Sequence, residues 1–276
     1  MWLKCEFLQH CGVFKTRGAF NRQIAASETG ELSDAGIVVA SGGNAGLAQA
    51  YAADRLGIKA TVFVPQGAPD VKVARIRRYG AEVVRVGVEY AEAYQAAAAF
   101  GSSTGATLAH AYDQPEVAAG AGTIAEEILD DEPTIDTIIV AVGGGGLYAG
   151  VAASALGRAR VVAVEPESIP TLHGAMRADQ PVDVSVSGVA ADALGARRIG
   201  ALAFAAQRAE TPVSVLVTDD EIVQARQELW QEYRIGSEFG AATAYAALLS
   251  GRYVPAADER VAVVVCGANT DPTTLS

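Results

Sequence analysis

Lysine is the first thing this chain lacks. Of 21 basic residues in 276, only Lys4, Lys15, Lys59 and Lys72 are lysines. A chain that relies on arginine draws attention to each remaining amine, because arginine cannot lose its proton and attack a carbonyl. Cysteine is scarce too. Cys5, Cys11 and Cys266, odd in number and without paired spacing, read as reduced thiols of a cytoplasmic protein. The three scattered histidines, His10, His110 and His173, form neither a zinc pattern nor a triad. No apolar run approaches the roughly 20 residues of a membrane span, and nothing at the start reads as a secretion signal. Positive charge is outweighed. A net charge of −11 makes a nucleic-acid backbone a poor partner, yet leaves room for an anionic small ligand held by backbone N–H groups.

What is present is half apolar, at 50 % hydrophobic residues with 29 glycines, so close-packed helices and many turns are expected. Val- and Ile-rich runs at 36–41, 60–65, 82–86, 107–109, 137–142, 160–165, 213–217 and 260–266 read as strands buried on both faces of parallel sheets. Helical segments are expected between them at 18–27, 45–56, 71–79, 90–100, 117–129, 147–156, 194–207, 219–233 and 240–249. Thr218 with Asp219 and Asp220 marks a helix start. The repeating strand–helix order predicts an α/β fold. The turn at Asp113-Gln114-Pro115 separates a front set of units from a back set, which gives two α/β domains with a ligand cleft between them.

Four stretches carry chemistry. Gly143-Gly144-Gly145-Gly146 follows a strand run and opens a helix at Leu147. Such a loop aims several N–H groups into one concavity, and the helix dipole adds to them, so it suits a phosphate. The spacing matches neither the dinucleotide fingerprint nor the Walker pattern. A plain tight turn is the competing reading, but it needs one or two glycines rather than four. Ser41-Gly42-Gly43-Asn44-Ala45-Gly46 sits at another strand-to-helix junction and offers backbone donors, a hydroxyl and an amide. Alone, it reads equally well as a strand end with an Asn cap.

Phe14-Lys15-Thr16-Arg17-Gly18-Ala19 sets an aromatic beside a lysine at a helix start, where a desolvated amine can form an imine. An ordinary surface lysine is the default in isolation. Cys266-Gly267-Ala268-Asn269 ends the last apolar strand, where open α/β sheets bind ligands. A thiol there can face a ring nitrogen, although a structural cysteine is the commoner fate. An imine-forming lysine, a phosphate cradle, a carboxylate-sized cradle and a soft polar group together suggest pyridoxal 5′-phosphate.

The same residues resemble those of the pyridoxal-phosphate enzymes of the tryptophan synthase β-subunit fold, and among them the serine/threonine dehydratases (ammonia-lyases). The matching stretches are 3–6, 12–19, 41–46, 120–127, 143–147, 164–166, 238–241 and 265–269, in family order. The resemblance implies two open, twisted, mostly parallel α/β domains with the cofactor between them. The large one comprises 1–15 and 113–276, the small one 16–112. Lys15 looks like the lysine that forms the imine and removes the substrate α-proton. Phe14 resembles the aromatic on the cofactor ring, and Asn44 the amide at its O3′ oxygen. Ser41 with Gly42, Gly43, Asn44 and Ala45 resembles the substrate carboxylate cradle. Gly143, Gly144, Gly145, Gly146 and Leu147 resemble the phosphate loop. Cys266 resembles the neutral partner of the pyridine nitrogen, which suits β-elimination over transamination.

The implied activity converts L-serine or L-threonine to pyruvate or 2-oxobutanoate and ammonia, in a cytoplasmic homodimer. Racemases and β-replacement enzymes share the fold and remain alternatives, as does an inactive shortened remnant. A racemase is disfavoured because Gly42 stands where those relatives carry a second, proton-donating serine. Glu165 matches a carboxylate that helps bind a cation. Because Thr171 stands near the second carboxylate of magnesium-binding relatives, a monovalent ion such as K+ is favoured. Val13 and Cys11 depart from a family serine and threonine, and relatives carry a further segment before the stretch that starts here at Met1. Lys4 is expected as a solvated surface amine, and Asp192 with Arg197 and Arg198 as a structural ion-pair region. Glu238 is expected either near the cofactor or as a helix cap.

Overall fold

The computed structural model describes residues 1–275. In chain order, β1 (Trp2–Lys4) and two 3-10 turns (Glu6–Leu8, His10–Gly12) precede α1 (Lys15–Glu28). Then follow β2 (Ile37–Ala40), α2 (Asn44–Leu56), β3 (Ala60–Val64), α3 (Asp70–Arg77), β4 (Glu82–Arg85), α4 (Tyr90–Thr104) and β5 (Thr107–Ala109). After α5 (Pro115–Asp131) come β6 (Thr137–Ala141), α6 (Gly146–Ala155), β7 (Arg160–Pro166) and α7 (Thr171–Ala178). The last elements are α8 (Ala191–Leu194), α9 (Ala201–Ala209), β8 (Val213–Val217), α10 (Asp219–Tyr233), α11 (Phe239–Leu249) and β9 (Val261–Val264), with a final 3-10 turn, Pro272–Thr274.

The chain divides into two compact units: Met1–Phe14 with Ala121–Ser276, and Lys15–Gly120. The first holds a sheet in the order β1-β9-β6-β7-β8, the second a sheet in the order β4-β3-β2-β5. Every strand pair in both is parallel. The inner strands are apolar throughout because helices cover both faces. All residues of β2, β3, β6 and β9 are buried. The edge strand β4, Glu-Val-Val-Arg, exposes its charged ends, which discourages pairing with another chain.

The sequence places the second division at the Asp113 turn; the structure carries it into α5, between Gly120 and Ala121. Close packing explains the difference. A Cβ at Gly18 would lie 2.6 Å from the Val117 carbonyl oxygen, and one at Gly120 would lie 2.6 Å from the Arg17 oxygen. The first turns of α5 are therefore pressed on α1 backbone to backbone.

Alanine does much of the packing in the rest of the molecule. Ala242, Ala244, Ala246 and Ala247 of α11 join Ile139, Val162, Val164 and Val263 of the larger sheet, with Ile222 and Leu229 of α10, in one buried cluster. In the other unit Ala19, Ala48 and Ala52 pack α1 on α2, while Ala93 and Ala97 of α4 cover Val38, Ala40 and Phe63. The start of α10 is a capping box. Thr218 Oγ1 accepts from Glu221 N at 3.2 Å and Glu221 Oε2 accepts from Thr218 N at 2.7 Å, a motif whose cap contributes about 1 kcal/mol.

Three elements differ from the sequence expectation. β1 and α7 were not foreseen, and the helix expected over 194–207 is broken into α8 and α9. At the break Gly195 comes so near the Ala191 carbonyl oxygen that there is no room for a Cβ, and Gly200 N donates to Gly144 O at 3.0 Å instead of continuing a helix. Lys4 is not a solvated amine. It forms an ion pair with Glu127, tying β1 to the second half of α5.

Replacing Gly120 by alanine should lower the unfolding free energy by about 2 kcal/mol through overpacking. Gly67→Ala, where a Cβ meets nothing within 4 Å, should leave stability within about 0.5 kcal/mol. Urea melts of the two variants against wild type check this.

Candidate active site

The predicted residues gather at the carboxyl edges of the two sheets, where chain direction in a parallel sheet brings the following loops together. In the larger unit β6 and β9 are neighbours, so Gly143 and Cys266 leave the same edge. Phe14 is fixed there as well. Its N–H donates to Cys266 O at 3.0 Å, Val13 bridges Gly267, and Ala268 N donates to Gly12 O at 2.8 Å. Cys266 is 4 % exposed. Glu238 holds the cap position of α11 but makes no side-chain cap bond. Its carboxylate instead lies against Gly267, where a Cβ would come within 2.5 Å of Glu238 Oε1.

The glycine loop is braced from two sides. A Cβ at Gly143 would lie 2.8 Å from Leu194 Cα, and one at Gly145 would overlap Ala203 and lie 2.6 Å from Ile199 Cδ1. Gly145 also has φ +92°, a conformation that disfavours any side chain. Packing thus accounts for two of the four glycines. Gly145 caps α6 without a side chain, as Gly43 caps α2. A helix start leaves N–H groups without an intrahelical partner, and at these two starts no cap side chain takes them up.

Glu165 is fully buried at the end of β7. Its carboxylate accepts from Leu172 N at 2.7 Å, His173 N at 2.8 Å and the Thr171 hydroxyl at 2.9 Å, and so serves the start of α7. Burial pushes its carboxyl up to about 7, against the pull of those donors. The Thr171 oxygen also lies 2.6 Å from Gly143 O. One hydroxyl hydrogen cannot serve both acceptors, so a carboxylate, a hydroxyl and a carbonyl oxygen converge beside the glycine loop. Among the described residues no cluster of three or more His, Cys, Asp or Glu side chains could hold a metal ion; this oxygen set includes only one carboxylate. Arg198 pairs with Asp183 at 2.6 Å, in line with a structural role.

In the smaller unit β2 pairs with β5, with Val39 opposite Ala109. Ser41 and Ala111 therefore leave the sheet side by side. Ser41 Oγ accepts from Gly43 N at 3.3 Å, which shapes the loop entering α2. A Cβ at Gly46 would overlap Ser41 O, whereas one at Gly43 would meet nothing within 4 Å, leaving open space ahead of the helix. Lys15 opens α1, and its amine donates to Ala111 O at 3.1 Å, a neutral acceptor.

Sequence reasoning passed over the residue next to this contact. His110 Nδ1 accepts from Tyr112 N at 3.2 Å and Asp113 N at 2.9 Å. Burial pushes its pKa down; Asp113 opposes this and Lys15 adds to it. The signal available was His110 lying just past the strand that borders Ser41.

The smaller unit thus offers a lysine amine at a carboxyl edge and a glycine-capped helix start, and the larger unit offers a second glycine-capped helix start and a buried thiol beside a pinned aromatic. Taken unit by unit, the start of α6, capped by a glycine without a side chain, fits a phosphate, and the Lys15 amine fits a carbonyl carbon, the two groups that pyridoxal phosphate carries. The profile of the family described as "Pyridoxal-phosphate dependent enzyme" matches residues 1–267, and the chain belongs to that family. It is 37 % identical over 279 residues to the L-threonine ammonia-lyase of Geobacter sulfurreducens, covering 100 % of this chain and 69 % of the relative. It is 34 % identical to the phenylserine dehydratase of Ralstonia pickettii, covering 99 % and 84 %. The structure of maize serine racemase superposes with a TM-score of 0.91 at 30 % identity, covering 99 % of this chain and 84 % of that one.

The depressed His110 pKa makes a signed prediction. The unfolded imidazole takes up a proton near pH 6.5 that the folded one refuses. The stability this group contributes is complete above pH 6.5 and is lost as pH falls through that value towards the folded pKa. The melting temperature should therefore fall less steeply in His110→Gln than in wild type between about pH 8 and about pH 5, as thermal melts across that range would show.

Proposed function

We propose that this chain is a pyridoxal-phosphate-dependent ammonia-lyase, eliminating the β-hydroxyl of L-serine or L-threonine to release pyruvate or 2-oxobutanoate and ammonia. The observation that carries the reading is the Lys15 amine, held on the Ala111 carbonyl beside the Ser41 loop. Pyridoxal phosphate, when bound, supplies an electron sink that labilises the bonds at the substrate's α and β carbons. Lys15 Nζ would be its covalent anchor and then take the proton from the substrate Cα. Phe14 would lie on the ring, Cys266 Sγ would meet its nitrogen, and Asn44 its phenolic oxygen. The loop of Gly143, Gly144, Gly145, Gly146 and Leu147 would hold the phosphate on backbone N–H groups. Ser41 with the backbone of Gly42, Gly43, Asn44 and Ala45 would hold the substrate carboxylate. A thiol is a neutral partner, so it does not protonate the ring nitrogen fully, which favours elimination over transamination.

A racemase needs an acid on the face opposite the lysine, and Gly42 has no proton to give there. The oxygens of Glu165, Thr171 and Gly143 make a set suited to a hard monovalent cation such as K+. A cation there would join β7 to the phosphate loop. Among the described residues no helix is long and apolar enough to cross a membrane. We place the enzyme in the cytoplasm as a homodimer acting on small amino acids, with no nucleic-acid partner.

Protein reconstituted with pyridoxal phosphate should absorb near the visible edge and release 2-oxo acid from L-serine or L-threonine. Lys15→Ala should lose both. A wild-type protein that gains the absorbance but yields D-serine instead of 2-oxo acid would overturn the elimination reading. Exchanging K+ for Li+ should lower the melting temperature by several degrees, a change of about 1–2 kcal/mol in binding linkage. Identical melts in the two salts would remove the cation from the account.

A further inference from the structure

Past the carboxyl end of β5, four rings follow one another, two of them on the neighbours of the residue that the Lys15 amine contacts. Ala111, whose carbonyl that amine contacts at 3.1 Å, is flanked by His110 and Tyr112. His110 and Tyr112 meet edge to face, 4.7 Å between ring centroids. Tyr94 lies 5.6 Å beyond His110, again edge to face, and Tyr90 stacks on Tyr94 at 6.3 Å. Tyr94, His110 and Tyr112 are half-buried and Tyr90 is 45 % exposed, so the series opens to solvent at one end.

Edge-to-face and stacked contacts link the four rings. Two backbone N–H groups on His110 Nδ1 keep the imidazole proton on Nε2. Burial pushes the His110 pKa down and the Tyr112 pKa up. The β2–β5 register sets Ala111, the residue between His110 and Tyr112, beside Ser41, the proposed seat of the substrate carboxylate. The side chains of serine and threonine are too small to cover such a surface, whereas an aryl group meets aromatic rings in the offset or edge-to-face arrangements they favour.

We propose that Tyr94, His110 and Tyr112, with Tyr90 at the solvent end, form the subsite for the substrate's β-substituent and select β-aryl-β-hydroxy-α-amino acids such as L-threo-3-phenylserine. The inference rests on the ammonia-lyase reading and narrows its substrate class. The reaction balances without an oxidant. The Cα–H and Cβ–O bonds break and water leaves; the enamine released then tautomerises and takes up one water, giving a 3-aryl-2-oxo acid and ammonia. The tyrosines and His110 are specificity residues and move no proton in this scheme.

Two measurements on the holoenzyme test the proposal. L-Phenylalanine has no β-hydroxyl to lose, so calorimetric binding reads the subsite alone. It should bind about tenfold or more tightly than L-alanine. Tyr94→Leu and Tyr112→Leu should collapse that ratio, and Tyr94→Phe should keep it. Binding of the two ligands within about twofold, or a ratio that survives in both leucine variants, overturns the subsite. Should the leucine variants not fold, the wild-type ratio and Tyr94→Phe decide.

The second measurement is kcat/KM for 2-oxo acid release, expected to be higher for phenylserine than for serine or threonine. Release from serine without a phenylalanine preference overturns the subsite and leaves the ammonia-lyase reading standing. Tight phenylalanine binding without 2-oxo acid from any substrate sustains the subsite and overturns that reading.

Discussion

Lys15 has a defined position because the residues before it are pinned to the far end of the chain. The hydrogen bonds Phe14 N to Cys266 O and Ala268 N to Gly12 O, with the bridge from Val13 to Gly267, clamp the segment that leads into α1 against the exit of β9. Each such bond is worth only about 1 kcal/mol net. Their consequence is positional: Phe14 is set beside Cys266 and the next residue is delivered to the start of α1. A lysine has four rotatable bonds of its own, so an amine used in chemistry needs its backbone fixed first.

The same logic governs the glycine loop. Its shape follows from what presses on it: Leu194 against Gly143, Ile199 and Ala203 against Gly145, and the Thr171 oxygen against the Gly143 carbonyl. These neighbours come from α7, from α8, from the break before α9 and from α9 itself. The irregular stretch between β7 and β8 therefore serves as the loop's backing, and its glycines and turns are a condition for the loop's shape rather than filler.

Local pattern was enough to find most of the fold. Each of the eight strand runs corresponds to a strand, and α10 begins and ends where its cap and last apolar residues indicate. Those signals are carried by neighbours in sequence. What escaped depends on distant partners. β1 is three residues long and is a strand only because β9 pairs with it. Gly195 stands at a break where the Ala191 carbonyl leaves no room for a Cβ, and Lys4 is an ion-pair member because α5 brings Glu127 within its reach. His110 shows no partner spacing because its partners are backbone amides and rings. The motif stretches around Lys15, Ser41, Gly143 and Cys266 were visible because each is contiguous; the oxygen cluster of Thr171 with Gly143 was not.

The pairing of Trp2–Lys4 with Ala262, Val263 and Val264 also sets an order on synthesis. Residues 15–120 form a contiguous unit that can fold once it has left the ribosome. The larger sheet has to keep β1 waiting, because β9, which lies between β1 and β6, is translated after both. Until then β1 has no neighbour and the open flank of β6 is an unpaired edge. The step that closes the sheet is also the one that brings Cys266 to Phe14. The nascent chain thus gains the β1–β9 pairing and the Phe14–Cys266 contact in one event.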